Sequence, residues 1–450
     1  MLTREENELV TNTNPGTPMG ELFRRFWLPV LLSSELPGPD CDPMRVRVLG
    51  EDLIAFRDTD GRPGLVDAYC PHRGAPMFFG RNEESGLRCV YHGWKFDVEG
   101  TCVDLPNAPE GETFKNKVTI TAYPTVDKGD LIWAYMGPKD KQPPLPGFDW
   151  LDMPASHRYV SKFRLECNYL QAMEGDYDPS HGMFLHTTLD NNQSNPAYGL
   201  TGAGTVDQSQ FRATRTLQQL GNFGHSESDS GLIFTTVRML PDGRKVANAS
   251  PWMMPIFPTA GQSGAGTYAS NIRVPIDNTS LMFYRLRWRY DPIPEKELWY
   301  YKSSGYTFPE LIPGTWKTKA NVFNDYEIDR VAQRNYSYTG IKSFPLQDIA
   351  MMENQWGPIA ERTKEHLTSS DVQIIGVRRR LIKLARELME GKEPAAPWKP
   401  EAFKYHTASV IVSPETPDEE VIAKVRERVM QSGVDSLPLV LQPAAKAAVR

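Results

Sequence analysis

The sequence predicts an α+β protein with two unlike domains: a small all-β domain first, then a larger one whose antiparallel sheet packs on helices. Three patterns predict it. From Asp42 to about Gly137, short apolar runs alternate with turn residues. A proline-rich run, Pro143-Pro144-Leu145-Pro146-Gly147, then interrupts the chain. Beyond it, long alternating strands lie between helical stretches near 165–187 and from Ile349 to Glu390.

Taken in order, residues 1–24 read as a partly helical lead-in, broken at Pro18-Met19-Gly20. The first domain spans 25–140. In it Arg45-Val46-Arg47-Val48 and Leu53-Ile54-Ala55-Phe56 are strands joined by a hairpin turn at Gly50-Glu51. Asp58-Thr59-Asp60-Gly61 is a further turn. Val118-Thr119-Ile120-Thr121 and Leu131-Ile132-Trp133-Ala134-Tyr135 are closing strands. Residues 141–156 form a proline-rich linker. The second domain spans 157–390, with strands from Phe234 to Leu240 and from Leu281 to Tyr290. In the latter, Met282, Tyr284, Leu286, Trp288 and Tyr290 share one face, and Phe283, Arg285, Arg287 and Arg289 share the other. Residues 391–450 read as a C-terminal extension with an amphipathic helix from Glu419 to Met430. No internal repeat is present.

Composition is that of a globular protein: 450 residues, 40% hydrophobic, 24% charged. A net charge of −6 gives no global attraction to nucleic acid or anionic membranes. Met1 to Glu8 is polar and acidic, unlike a signal peptide. The apolar run Phe26 to Leu32 is too short to span a bilayer. A cytoplasmic protein is expected. Five cysteines, an odd and sparse set, argue against a disulfide framework.

Four of the eight histidines fall in two short motifs. The first is Cys70-Pro71-His72-Arg73-Gly74 with Cys89-Val90-Tyr91-His92-Gly93-Trp94. Each half offers one sulfur and one nitrogen from a tight loop. That is the demand of a Rieske [2Fe–2S] centre, where two thiolates hold one iron and two imidazoles the other. Gly74 and Gly93 let the backbone pass close to the cluster. The competing assignment is structural zinc, but zinc sites pair cysteine with cysteine and histidine with histidine at wider spacings. Cys102 and Cys167 read as core thiols, and Cys41 lies in a polar loop.

The second motif runs Glu174-Gly175-Asp176-Tyr177-Asp178-Pro179-Ser180-His181-Gly182-Met183-Phe184-Leu185-His186. Two histidines and a carboxylate make the facial triad of non-haem Fe(II) oxygenases. Five residues of ideal helix turn roughly 140° away from alignment. His181 and His186 can therefore share a metal only where the helix is distorted or ends, and Gly175, Pro179 and Gly182 supply the means. Asp178 suits a helix N-cap, with Pro179 at the first position. Taken alone, the pair also fits a helix carrying two unrelated histidines; the cluster motif upstream favours the metal.

With both motifs in place, the chain resembles the large (alpha) subunits of Rieske non-haem iron aromatic-ring-hydroxylating oxygenases over nearly its whole length. The resemblance implies a catalytic domain of helix-grip type and one mononuclear Fe(II) per subunit held by His181 and His186. In the family the third ligand is an Asp from a distant helix, with Glu five residues on. Gln347-Asp348-Ile349-Ala350-Met351-Met352-Glu353 fits, which implicates Asp348; read alone, Asp348 is a helix N-cap. The family's Asp matching Asp178 bridges an iron-bound histidine, here His181, to the second cluster histidine, here His92, of a neighbouring subunit. That implies a head-to-tail homotrimer or stacked hexamer. Many members have Asn where Glu174 stands.

No flavin or nicotinamide fingerprint is present; Gly202-Ala203-Gly204 lacks the third glycine and the context. Electrons must come from a separate NAD(P)H-dependent reductase, directly or through a ferredoxin. The closest wording is that of the phthalate-dioxygenase-like branch, which includes O-demethylases and implies O2 and an aromatic acid as substrates. A buried carboxylate is best held by arginine. Arg212, Arg215, Arg238 and Arg244 lie in the pocket-forming region, and Arg238 and Arg244 are the candidates. The Arg285, Arg287 and Arg289 face is either solvent-facing or a dock for an acidic reductase. The alternative function is a Rieske electron carrier without oxygenase activity, which needs no second iron.

Overall fold

Apolar alternation becomes paired strands wherever a turn former separates the runs. The computed structural model describes residues 1–109, 111–186, 221–240, 242–263, 266–335 and 337–431. Two helices come first, α1 (Arg4–Thr11) and α2 (Pro18–Arg24). Pro18 does not break a helix but begins one, with Thr17 as its cap; a proline in the first turn has no N–H to leave unpaired.

The first domain contains β1 (Trp27–Leu32), β2 (Met44–Val48), β3 (Glu51–Arg57), β4 (Pro63–Asp67), β5 (Arg81–Glu83), β6 (Gly86–Arg88), β7 (Lys95–Phe96), β8 (Cys102–Asp104), β9 (Ala122–Tyr123), β10 (Thr125–Lys128) and β11 (Leu131–Tyr135). They form three small sheets, β1-β11-β10, β2-β3-β4-β9 and β5-β6-β7-β8. Leu49 and Gly50, both at positive φ, make the β2–β3 hairpin turn. Val118-Thr119-Ile120-Thr121 is not a strand: Thr119 makes one isolated bridge with Thr101, and the pairing begins at Ala122. Strands β3 and β4 are buried on both faces, while β2 keeps Arg45 and Arg47 exposed. Leu53, Ala55 and Leu65 face the main core, while Ile54, Phe56 and Val66 face a smaller one that holds Cys70 and Cys89. A strand packed on both sides carries an unbroken apolar run, hence Leu53 to Phe56.

The second domain is built on a sheet in the order β12 (Arg158–Leu165), β18 (Ser280–Trp288), β17 (Thr267–Asp277), β16 (Phe257–Ser263), β15 (Lys245–Met253), β14 (Gly231–Met239), β13 (Asn222–Glu227), all antiparallel. Its helices are α3 (Tyr169–Glu174), α4 (Glu295–Ser303), α5 (Arg330–Asn335), α6 (Phe344–Met352), α7 (Val372–Met389) and α8 (Asp418–Met430). The sheet lies against α3 and the turn after it, and α7 packs across β13 and β14. The expected helical stretch Ile349 to Glu390 is two helices, α6 and α7, separated by irregular chain. Among the described residues, no helix is long and apolar enough to cross a membrane.

Three expected boundaries do not hold. The lead-in is not separate: α1 and α2 pack on α7, and Val10, Leu22 and Phe23 enter the main core, which both domains share. The linker is not free: Phe148, Trp150 and Leu151 are in that core, with Trp150 stacked on Trp133. The extension is also integral. Residues Ala408–Val412 form β19, which pairs with β15, and Val421, Val425 and Val429 of α8 cover Ile233, Val237 and Ala247. Their four-residue spacing makes one helical stripe. A buried ion pair between Lys162 of β12 and Glu35, which also accepts from Trp316 Nε1 at 3.1 Å, ties the two domains together.

Candidate iron–sulfur and metal centres

The cluster loops are two copies of one turn. Cys70 N–H donates to Ala75 O (2.8 Å) and Gly74 N–H to Cys70 O (2.9 Å). Cys89 N–H donates to Trp94 O (2.8 Å) and Gly93 N–H to Cys89 O (3.0 Å). Each turn closes on a glycine at positive φ, +68° at Gly74 and +80° at Gly93, where other residues are strained. At Gly93 a side chain would also meet Pro106 at 2.5 Å. The His72 and His92 rings stand 4.5 Å apart, and Trp94 stacks on His72. Both thiols are buried, and burial raises that of Cys70 to about 11. Desolvation lowers the His92 pKa and favours its neutral, ligating form. His72 Nδ1 is buried with no hydrogen-bond partner. Buried thiols that need a cation and an imidazole nitrogen left open fit a [2Fe–2S] cluster held by Cys70, His72, Cys89 and His92.

The second centre arises where a helix fails. α3 ends at Glu174, Gly175–Tyr177 tightens to a 3₁₀ turn, and His181–Met183 forms another. Gly175 allows α6 to approach, since a side chain there would displace Met352. Asp178 is not the expected helix N-cap with Pro179 at the first position: it closes the Gly175–Tyr177 turn, Ser180 precedes the next one, and the Asp178 carboxylate instead folds the link between them, accepting from Ser180 N–H (2.8 Å) and Ser180 Oγ (2.6 Å). The break swings His181 and His186 together, and α6 delivers Asp348. The three ligand atoms lie within 4.8 Å of one another. Asp348 Oδ1 is 3.4 Å from His181 Nε2 and 3.1 Å from His186 Nε2. Yet His186 Nε2 and Asp348 Oδ1 are buried without a hydrogen bond. Lone pairs gathered on one point without protons between them fit a metal.

The far ring nitrogens set the tautomers. His181 Nδ1–H donates to Asp178 O (2.6 Å), and His186 Nδ1–H to Gln347 Oε1 (2.7 Å). Gln347 is held in turn by Ile341 O at 2.7 Å, and Phe344 stacks on His186 at 3.9 Å. Both Nε2 atoms are thereby left free for a metal. Burial opposes charge on His181, but the carboxylates of Asp178 and Asp348 outweigh it and raise the group to about 10. Burial likewise opposes charge on Asp348, yet the two imidazoles hold it well below the usual carboxylate range. The triad is organised around a positive charge. Gln347→Leu is expected to weaken metal retention about 10- to 100-fold, measured by chelator competition; retention equal to that of the wild type would deny Gln347 its role.

A cleft of about 930 Å³ opens on the triad, lined by Asp178, His181, Phe184, Asp348, Met351 and Trp356 among others. Glu174 is fully paired in its wall. It accepts from Arg362 Nη2 (2.9 Å) and Arg378 Nε (2.6 Å), and Arg378 also holds Glu365. The carboxylate thus comes with its own buried cations.

The proposed substrate arginines fare differently. Arg238 stands half-buried on the same face of β14 as Phe234, which packs on Tyr177, and its Nε has no partner. Arg244 does not reach the centre: it sits at the β14–β15 hairpin, 41% exposed and paired to Asp242 at 2.6 Å, because the Asp242-Gly243 turn points it into solvent. Arg212 and Arg215 lie outside the described residues, as does Gly202-Ala203-Gly204. On the expected Arg285, Arg287 and Arg289 face, Arg285 is 4% exposed and neither faces solvent nor can dock a partner, while Arg287 and Arg289 are half-buried. Sequence reasoning missed Gln347, Phe344 and the Glu174 network; of these Gln347, next to Asp348, and Glu174, which opens the second motif, lay within stretches already singled out.

The Rieske [2Fe-2S] domain family matches residues 26–124, and the family described as LigXa C-terminal domain like matches 134–406. The oxygenase subunit of phthalate 4,5-dioxygenase from Pseudomonas putida is 36% identical over 87% of this chain and 88% of its own. That of tert-butanol monooxygenase / tert-amyl alcohol desaturase from Aquincola tertiaricarbonis is 33% identical over 86% and 77%. That of 5,5'-dehydrodivanillate O-demethylase from a Sphingobium species is 32% identical over 88% and 83%. Among solved structures, dicamba monooxygenase bound to dicamba superposes with a TM-score of 0.55 at 18% identity, over 82% of this chain and 99% of that one. The cluster-domain match sets zinc aside. The likeness to oxygenase subunits along both domains sets the pure carrier aside, and the chain belongs to the family of Rieske non-haem iron oxygenase large subunits.

Proposed function

We propose that this subunit oxidises an aromatic acid at a mononuclear Fe(II) held by His181, His186 and Asp348, by hydroxylation or by O-demethylation. The convergence of those three ligand atoms within 4.8 Å, beside an open cleft, carries the reading. Bound there, Fe(II) supplies the site at which O2 is activated next to the substrate. The protein's own part is to keep both imidazoles in the ligating tautomer through Asp178 and Gln347, and to leave the cleft side free. Relatives named for phthalate and dehydrodivanillate support an acid substrate. Electrons reach the cluster from a separate NAD(P)H-dependent reductase, with or without a ferredoxin. A cytoplasmic location, where reduced nicotinamide is supplied, goes with that arrangement.

A head-to-tail homotrimer, single or stacked as a hexamer, suits the surface. Exposed Tyr69, Val90 and Tyr91 surround the cluster loops, and exposed Phe184, Tyr338, Met351 and Trp356 surround the cleft. Apolar patches at both centres favour a neighbour's cluster docking over the cleft, with Asp178 between its His92 and our His181. Single turnover of the cluster-reduced protein with O2 and a panel of aromatic acids tests the reaction. A cis-dihydrodiol marks dihydroxylation and formaldehyde marks demethylation; no oxygenated product from any acid rejects the reading. Asp178→Asn is expected to slow electron arrival at the iron about 10- to 100-fold while cluster reduction proceeds normally. An unchanged rate, or a monomer by sedimentation, removes the bridge.

A further inference from the structure

Arg285 projects from β18 on the face that also carries Phe283 and Arg287, opposite Ser161 of β12 and Asn271 of β17. That face looks at the turn bearing the iron ligands. Asp176, two residues before Asp178, accepts from Asn271 Nδ2 (2.5 Å) and from Arg273 Nε and Nη2 (2.8 and 2.9 Å). Arg273 also lies on the Phe283 ring at 3.5 Å. Arg273 is therefore provided for within the fold, and Arg285 is not. Among the described residues, its guanidinium makes no hydrogen bond and no ion pair. Its Nε is sealed from solvent without an acceptor, and Nη1 of Arg273 is a second orphaned donor on the same face. Its aromatic neighbours, Phe283 and Phe344, stand 5.9 and 5.8 Å away, at the outer edge of a cation–π contact, which gives much less than a paired anion. Phe344 is also the ring stacked on His186, so one aromatic ring separates the free guanidinium from an iron ligand.

A buried guanidinium with no counter-charge is costly, and folds retain one where a ligand completes the pair. The carboxylates whose charge reaches it are already engaged, Asp348 in the triad and Asp176 with Arg273. We propose that Arg285 is the anion anchor of the substrate site: it takes the carboxylate of an aromatic acid in a two-pronged ion pair and directs the ring toward the His181/His186/Asp348 centre. This rests on the aromatic-acid reading above and names the residue that selects the acid. A neutral alcohol, the class named for the tert-butanol relative, would leave the charge uncompensated.

The test uses the full-length protein with cluster and iron in place, under anaerobic conditions, and follows binding by calorimetry. The probes are benzoate, 3-methoxybenzoate and phthalate, each against its neutral carboxamide. The wild type is expected to prefer the acid. Arg285→Met is expected to lose about 100-fold in affinity for the best acid while amide binding changes little, so that discrimination disappears. Its Tm is expected to stay level or rise, because the charge removed has no partner to strand. Arg244→Met, on the exposed hairpin, serves as the control and should match the wild type. If Arg285→Met retains the acid preference, the anchor assignment is overturned and the aromatic-acid reading survives. If the wild type itself does not distinguish acid from amide, both fall. Should Arg285→Met fail to fold, Arg285→Lys decides: about a tenfold loss for the acid alone supports the fork geometry, and undiminished binding overturns it.

Discussion

Asp348→Ala protein will keep its cluster and lose its oxygenase activity. Iron content should fall to the two atoms of the [2Fe-2S] centre, with the cluster's visible absorption unchanged. Turnover should drop on the order of 10³-fold or more, as expected when a metal that stabilises transition-state charge by several kcal/mol is lost. The separation of effects follows from distance in the fold. The two cluster cysteines sit in the small core, and Asp348 sits on α6 against α3, beside the main one. Iron analysis beside the visible spectrum checks it; retained mononuclear iron in the Asp348→Ala protein would show that the triad is misassigned.

Glu174→Ala will be among the most destabilising single changes in the second domain. Glu174 is 8% exposed, and despite burial, which opposes its charge, Arg362 and Arg378 hold it ionised. Removing it leaves Arg362, 0% exposed, with no carboxylate, and stranding a buried charge costs about 3–5 kcal/mol. Arg378 keeps Glu365 and is less affected. The double variant Glu174→Ala, Arg362→Met should recover part of the loss, because it removes the stranded cation too. Urea denaturation followed by circular dichroism measures both. A loss under 1 kcal/mol for Glu174→Ala would mean that the network is solvated. Because α3 leads into the Asp178 turn, the same variant should also loosen metal binding.

The paired turns of the proposed cluster site could be read from sequence because such a loop is local: each half-motif closes within five residues, and its glycine advertises the turn. The His181/His186 pair was readable only in part. Its spacing is wrong for a regular helix, and the break at Gly175 and Pro179 is what repairs it. Asp348 sits 162 residues beyond His186 on another helix; no spacing rule connects them, and resemblance alone pointed there. Arg285 was misjudged for a physical reason. Alternation of arginine with large apolar residues ordinarily marks a strand with one wet face, but here Tyr284, Leu286 and Trp288 face one packed layer and Phe283 and Arg285 another. Burial on the second face depends on helices far away in sequence. The same long-range packing drew the lead-in, the linker and the extension into the packed body of the protein, where local composition had separated them.

The doubly buried β3–β4 pair bears on how the protein comes apart. It is a party wall between two rooms, and the smaller room holds both cluster thiols. Demetallation removes the crosslink that joins the loops on one side of that wall and leaves the other side packed. Loss of the cluster should therefore open the small room alone, and proteolysis of cluster-free protein should begin in the loops around Cys70 and Cys89. The wall would also let a cluster be rebuilt in place, on a chain that never lost its catalytic half.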